Sequence, residues 1–145
     1  MIRPAAQADQ PALAAIYREA SLAWDDTRAD LLAHPEVLML EPDCWQQSLL
    51  AATSSDITGF VTLRNNGDGT GTLDHLFVLP AQWRTGVGRA LMAAAIAGCD
   101  PAIRRIDVVA NNNALPFYRN VGFLALGPVE TRFATGTAMQ LPREN

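Results

Sequence analysis

The amino-acid sequence predicts an α/β or α+β domain in which hairpin strands are flanked by helices. Three observations carry that class. Asn65-Asn66-Gly67-Asp68-Gly69 is a strong hairpin signal between two strand-like runs. Leu73 to Met92 reads as a strand, a tight glycine loop and the start of a helix. A second strand-like run, Arg104 to Ala110, leads into a helical pattern that stops at Gly122.

In chain order, Ile2 starts a short strand broken by Pro4, and Asp9 is a good N-cap with Pro11 in the first turn. Leu13, Ile16, Tyr17, Ala20 and Trp24 recur at helical spacing, predicting a helix to about Leu22. Asp25-Asp26-Thr27 is expected to break it, with a short helix through Asp30 to Ala33 that stops before Pro35. Glu36 to Leu40 suits strand and helix equally, and Pro42 opens a helical turn through Gln47. Leu49 to Ala52 and Ile57 to Leu63 read as strands around a Thr-Ser-Ser-Asp turn, and Thr72 to Val78 as the strand after the hairpin. The helix after the glycine loop runs from Val87 to about Ala97 and is ended by Gly98 and Pro101. Asn113 is placed to cap a helix from Ala114 to Val121, with Pro116 in its first turn. Leu124 to Leu126 and Thr137 to Leu141 complete the count as a last strand pair. Neither repeats nor a linker interrupt the pattern, so residues 1–145 are expected to form a single domain.

Bulk properties narrow the function. No apolar run approaches the ~20 residues of a membrane span, and no signal peptide opens the chain. A net charge of -4 argues against nonspecific nucleic-acid binding, which needs a basic face. Cys44 and Cys99 are too few for a disulfide framework and, with His34 and His75, lack metal spacing. The expectation is a cytoplasmic protein with no metal, no nucleic-acid partner and no membrane partner. All 11 basic side chains are arginine, so the chain has no lysine of its own to modify.

The glycine loop carries the chemistry. A helix N-terminus offers unpaired N–H groups and a partial positive charge. Gly86 and Gly88 let the backbone approach a ligand closely, which makes the turn a ready phosphate or pyrophosphate site. It is not a P-loop, which requires Gly-Lys-Ser/Thr. It is not a dinucleotide fingerprint either, because Leu91 stands where the third glycine belongs.

With Val78 and Pro80 before it, this loop resembles the acyl-CoA loop of the GNAT superfamily of N-acetyltransferases, Gln/Arg-x-x-Gly-x-Gly/Ala. Trp83 stands where Gln or Arg is usual, and Arg84 where glycine is frequent. The segment from Asn111 to Phe123 is similar to the family's Asn-x-x-Ala-x-x-Phe-Tyr-x-x-x-Gly-Phe, and the Ile2-Arg3-Pro4-Ala5 opening matches as well. The resemblance implies a mixed, mostly antiparallel central sheet flanked by helices, with strands 4 and 5 splayed apart. It also implies acetyl-CoA as co-substrate and an acetyl group moved directly to a primary amine within a ternary complex.

Such a reaction needs three things: a deprotonated amine, a polarised thioester carbonyl and a proton for the departing thiolate. The resemblance makes Asp74 the first candidate for the base, because relatives often place Glu or His there facing the acceptor. His75 is the second, since histidine ordinarily titrates near neutrality. Strand alternation puts the two on opposite faces, and a water relay would make neither essential. Tyr118 matches the family tyrosine that protonates the CoA sulfur. The backbone of Leu76, Phe77 and Val78 resembles the segment that polarises the carbonyl. Arg84, Thr85, Gly86, Val87, Gly88 and Arg89 supply the pyrophosphate contacts, with Arg89 equally able to be a solvated helix residue. Asn111 matches the asparagine that touches the cofactor, although three consecutive asparagines leave the register open by one and also suit a turn. Phe117 belongs either to the cofactor wall or to the core.

The acceptor is a small-molecule or peptide amine that the sequence does not choose. Trp24, Asp25, Asp26, Trp45, Glu130 and Phe133 are candidates for its pocket, and acidic and aromatic groups would suit a cation. Two other uses of the loop stay open: a noncatalytic acyl-CoA-binding or sensing module, and an interaction domain such as one half of a homodimer.

Overall fold

The structure is a computed structural model that describes residues 1–143. Seven strands hydrogen-bond in the order β1-β2-β3-β4-β5-β7-β6, where β1 is Ile2–Pro4, β2 Ser48–Ala52, β3 Ile57–Asn65, β4 Thr70–Val78, β5 Arg105–Ala110, β6 Leu124–Glu130 and β7 Thr135–Pro142. The four α-helices are α1 (Gln10–Leu22), α2 (Asp25–Ala33), α3 (Val87–Gly98) and α4 (Leu115–Val121). β1–β2, β2–β3, β5–β7 and β6–β7 pair antiparallel. β4 and β5 pair parallel over three residues, Thr70–Thr72 against Arg105–Asp107. β4 continues to Val78 and β5 to Ala110, so the pairing ends well before either strand does. This is the mixed, mostly antiparallel sheet with parting strands 4 and 5 that the resemblance implies.

The chain forms two compact units. The first holds Met1–Leu63 and His75–Gly98. Its core clusters Leu13 and Ile16 of α1 with Cys44, Leu50 and Phe60, and it packs Tyr17, Trp45, Phe77 and Leu79 around them. The three- to four-residue recurrence of Leu13, Ile16 and Ala20 is what turns that stripe of α1 inward. The second unit begins with Arg64–Asp74 and resumes at Cys99. Ile103, Ile106, Phe123 and Met139 are buried there.

Several boundaries differ from the sequence expectation for identifiable reasons. α1 does end at Leu22, but Asp25-Asp26-Thr27 is not the break that ends it; it is the first turn of α2, where two carboxylates complement the helix dipole. Asp9 precedes α1 but does not cap it. Its carboxylate accepts from the Ala6 N–H (2.8 Å) and from the Arg3 guanidinium (2.8 and 3.2 Å). Pro35–Leu38 is a 3-10 turn rather than a strand or α-helix. Asn111, not Asn113, is the capping residue after β5: its side chain accepts from the Asn113 N–H at 2.9 Å, and a 3-10 turn precedes α4. β6 runs past Gly127 and Pro128 because it is an edge strand with a register shift at Ala125/Gly127, where a missing N–H is tolerated.

Candidate active site

The loop between β4 and α3 is built around two left-handed residues. Arg84 has φ +65° and Gly86 φ +90°. Arg84 therefore adopts a left-handed conformation that L side chains ordinarily avoid. No heavy atom lies within 4 Å of where a Gly86 Cβ would sit, so conformation and not space demands glycine there. Ala90 N–H donates to Gly86 O at 3.0 Å and makes the first helical bond of α3. The N–H groups of Val87, Gly88 and Arg89 precede that bond, so the helix itself gives them no acceptor. No acidic residue occupies this turn of α3. Thr85 Oγ1 donates to Gln82 O and closes the loop from within.

Trp83 is part of the scaffold. Its Nε1–H donates to Val78 O at 2.8 Å, at the end of β4, and its ring stacks on Trp24. The residue that replaces the family's Gln or Arg thus ties the loop to the end of β4 and to the N-cap of α2.

β4 turns its two candidate bases to opposite sides, as alternation requires. Both oxygens of Asp74 accept from Arg64 of β3, at 3.0 and 3.2 Å, in a bidentate pair. His75 lies in an aromatic bed with Tyr17 T-shaped to it at 5.5 Å and with Phe60 and Phe77 tilted against it. Its Nε2 is 3.3 Å from Glu41 Oε2. Tyr17 donates its hydroxyl to Val37 O at 3.0 Å, and burial, then Glu41, push its phenol pKa up. Leu76 and Val78 point the other way from His75; Val78 Cγ2 is one of the atoms that crowd Gly59.

In the second unit, α4 buries Tyr118 to 8% exposure between Phe117 and Phe123, both T-shaped to its ring. Burial pushes the phenol up to about 12. Gly122 stops the helix at φ +117°, and Phe123 N–H returns to Tyr118 O. Asn111 spends its side-chain oxygen on the turn, and Asn112 Oδ1 accepts from Thr137 Oγ1 at 2.7 Å.

Of the acceptor candidates, Trp24, Asp25, Asp26 and Trp45 lie in the first unit, and Glu130 and Phe133 in the second. Trp45 packs against the core of the first unit, and its backbone N–H donates to Gln10 Oε1. Glu130 accepts from Thr135 Oγ1, and the Arg132 guanidinium sits 5.0 Å over the Phe133 ring. Tyr17, Glu41 and Arg64 all meet candidate residues, yet sequence reasoning did not single them out for the site. Tyr17 reads as one more apolar position of α1. Glu41 meets a residue 34 positions away, and no local pattern carries that pairing.

No helix among the described residues is long and apolar enough to cross a membrane. The Acetyltransferase (GNAT) domain family matches residues 34–141. No curated protein matches the chain. Solved structures share the fold. The PaiA N-acetyltransferase of Thermoplasma acidophilum, in complex with coenzyme A, aligns with a TM-score of 0.75 at 18% identity, over 99% of this chain and 98% of its own. The yncA protein of Salmonella typhimurium, with its cofactor acetyl-CoA, gives 0.72 at 22% identity over 100% and 94%. The ribosomal-protein-alanine N-acetyltransferase of Brucella melitensis gives 0.70 at 24% over 99% of each chain. With a family match across most of its length, the chain belongs to the GNAT acetyltransferases.

Proposed function

We propose that the protein is an acetyl-CoA-dependent N-acetyltransferase that moves the acetyl group directly to a primary amine of a small molecule or peptide. The observation that carries this reading is the start of α3. Three N–H groups without a helical acceptor follow a glycine that adopts φ +90°. That is the construction an anionic pyrophosphate needs. The fit comes from the backbone, so it survives the replacement of the usual side chains at Trp83 and Arg84.

The amine must arrive unprotonated at the thioester. An alkylamine with pKa ~10 costs ~4 kcal/mol to deprotonate at pH 7. His75 is the group we assign to that task, ahead of Asp74. Both carboxylate oxygens of Asp74 are already held by Arg64, whereas Glu41 meets only one of the two ring nitrogens of His75. Tyr118 takes the role the resemblance implies, proton donor to the thiolate. A phenol near 12 stays protonated throughout the neutral range and is therefore always a donor there.

Calorimetric titration with acetyl-CoA, and with CoA as control, tests the loop. Micromolar binding that is lost in Gly86→Asp supports the reading, and no binding at millimolar ligand removes it. A panel of primary amines assayed by thiol release then tests transfer; tight cofactor binding with no turnover on any amine would favour a sensing module instead.

A further inference from the structure

We propose that Glu41 is the positioning residue of His75. It fixes the imidazole with Nε2–H pointed at its carboxylate and the Nδ1 lone pair free to take the proton of the incoming ammonium. This deepens the reading above and rests on His75 being the base.

The argument begins with how Glu41 is held. Its side chain is 69% exposed, and such a group would ordinarily wander. Its backbone does not. Gln10 of α1 donates from Nε2 to Glu41 O at 2.9 Å and accepts from the Trp45 N–H at 3.2 Å, bracketing the segment. Glu41 O also accepts from the Cys44 N–H at 3.2 Å, which closes the turn that carries it. The carboxylate therefore starts from a fixed point and reaches Nε2 at 3.3 Å.

The His75 side chain is 13% exposed. Tyr17 from α1, Phe60 from β3 and Phe77 from its own strand pack its ring, and Glu41 is the charged group that meets it. Tyr17 donates its hydroxyl to Val37 O and meets the imidazole ring against ring, 66° from parallel. Which ring nitrogen carries the proton is set by the hydrogen bond the other makes. A carboxylate can only accept, so Nε2 is the protonated nitrogen and Nδ1 the base. In the proton step the ammonium N–H bond breaks, its electron pair stays on the amine nitrogen, and the Nδ1 lone pair forms the new N–H bond. The imidazolium produced is balanced by Glu41 until it releases the proton to water.

Ring-nitrogen NMR of protein labelled with 15N-histidine tests this without an acceptor. The chain has only His34 and His75, so a His34→Gln variant assigns the signals. We expect a single Nε2–H tautomer for neutral His75 in the parent. A mixture is expected in Glu41→Ala, and the single tautomer returns in Glu41→Gln, whose amide oxygen can still accept. An unchanged tautomer in Glu41→Ala would overturn the proposal. Turnover on the best amine of the panel separates it from the reading it rests on. His75→Gln with full activity would remove His75 as base. His75→Gln inactive, with Glu41→Ala retaining both tautomer and rate, would leave the base and remove only its positioning partner. If both hold, Glu41→Ala and Glu41→Gln should each lower kcat at least several-fold with KM for acetyl-CoA unchanged, because each removes the charge that supports the imidazolium.

Discussion

Trp83 lies stacked on Trp24, with ring centroids 4.6 Å apart and planes 23° from parallel. The pair joins the loop between β4 and α3 to the residue that precedes α2. Trp83 also donates to Val78 O, so a single side chain fixes the loop to the end of β4 and to the α1–α2 junction. Removing the stack should release both. We expect Trp24→Ala to cost about 2 kcal/mol in urea unfolding, combining lost area with the stacking preference. Trp83→Phe keeps a ring but loses the donor, and should cost about 1 kcal/mol. Both variants should weaken acetyl-CoA several-fold in calorimetry. Unchanged affinity in Trp24→Ala would show that the loop holds its shape without α2.

Arg84 is the position where conformation and residue type disagree most. At φ +65° an arginine spends energy that asparagine, which tolerates the left-handed region, largely avoids. Arg84→Asn should therefore raise stability by about 0.5 kcal/mol, and Arg84→Val, β-branched, should lower it by about 1 kcal/mol. Thermal melts of the two variants give the signs. If acetyl-CoA binds Arg84→Asn as well as it binds the parent, the guanidinium makes no phosphate contact and the loop works through its amides.

The fold was legible because its signals are local. Glycine and asparagine at Asn65–Gly69 force a hairpin, and Gly86, Gly98 and Gly122 each sit where a helix must begin or end. What the sequence hid was long-range pairing. Asp74 looks like a free strand carboxylate until Arg64 is placed across from it, and Glu41 looks like solvent-facing loop until α1 pins it beside His75. The α2 boundary differs for a related reason: adjacent aspartates suggest a helix break, but at a helix N-terminus the same charges are stabilising. Side-chain partners distant in sequence decide which of several plausible bases is free to react, and periodicity carries no information about them.

Gly59 shows how tightly β3 and β4 are fitted. A Cβ built there would stand 2.9 Å from Phe77 O, 3.1 Å from Leu91 Cδ1 and 3.2 Å from Val78 Cγ2. The closest of these atoms is backbone and cannot rotate away. Gly59→Ala should push β4 at Phe77 and Val78, the segment proposed to polarise the thioester. We expect a loss of about 2 kcal/mol in chemical unfolding, within the range of overpacking. We also expect turnover to fall more than acetyl-CoA affinity. Gly67→Ala is the control: its added carbon meets nothing within 4 Å, so its cost is confined to a glycine φ of +82°.

The buried phenol of Tyr118, proposed as the acid, also bears on alkaline stability. Burial raises its phenol from the ordinary 10 to about 12. In the unfolded chain the phenol ionises near 10, so between these values only the folded state keeps the proton. The stabilisation is fully present below pH 10 and is lost as pH rises through 12. Two units correspond to about 3 kcal/mol at most, for a ring that is 8% exposed. Tyr118→Phe has no such proton. Its unfolding free energy should fall less steeply between pH 10 and 12 than the parent's, as measured by urea titrations across that window. At pH 7.5 the same variant should lose turnover at least ten-fold while binding acetyl-CoA nearly unchanged, if the hydroxyl protonates the leaving thiolate. Parallel stability curves would mean the phenol ionises freely in the folded protein, and turnover equal to the parent's would remove Tyr118 as the acid.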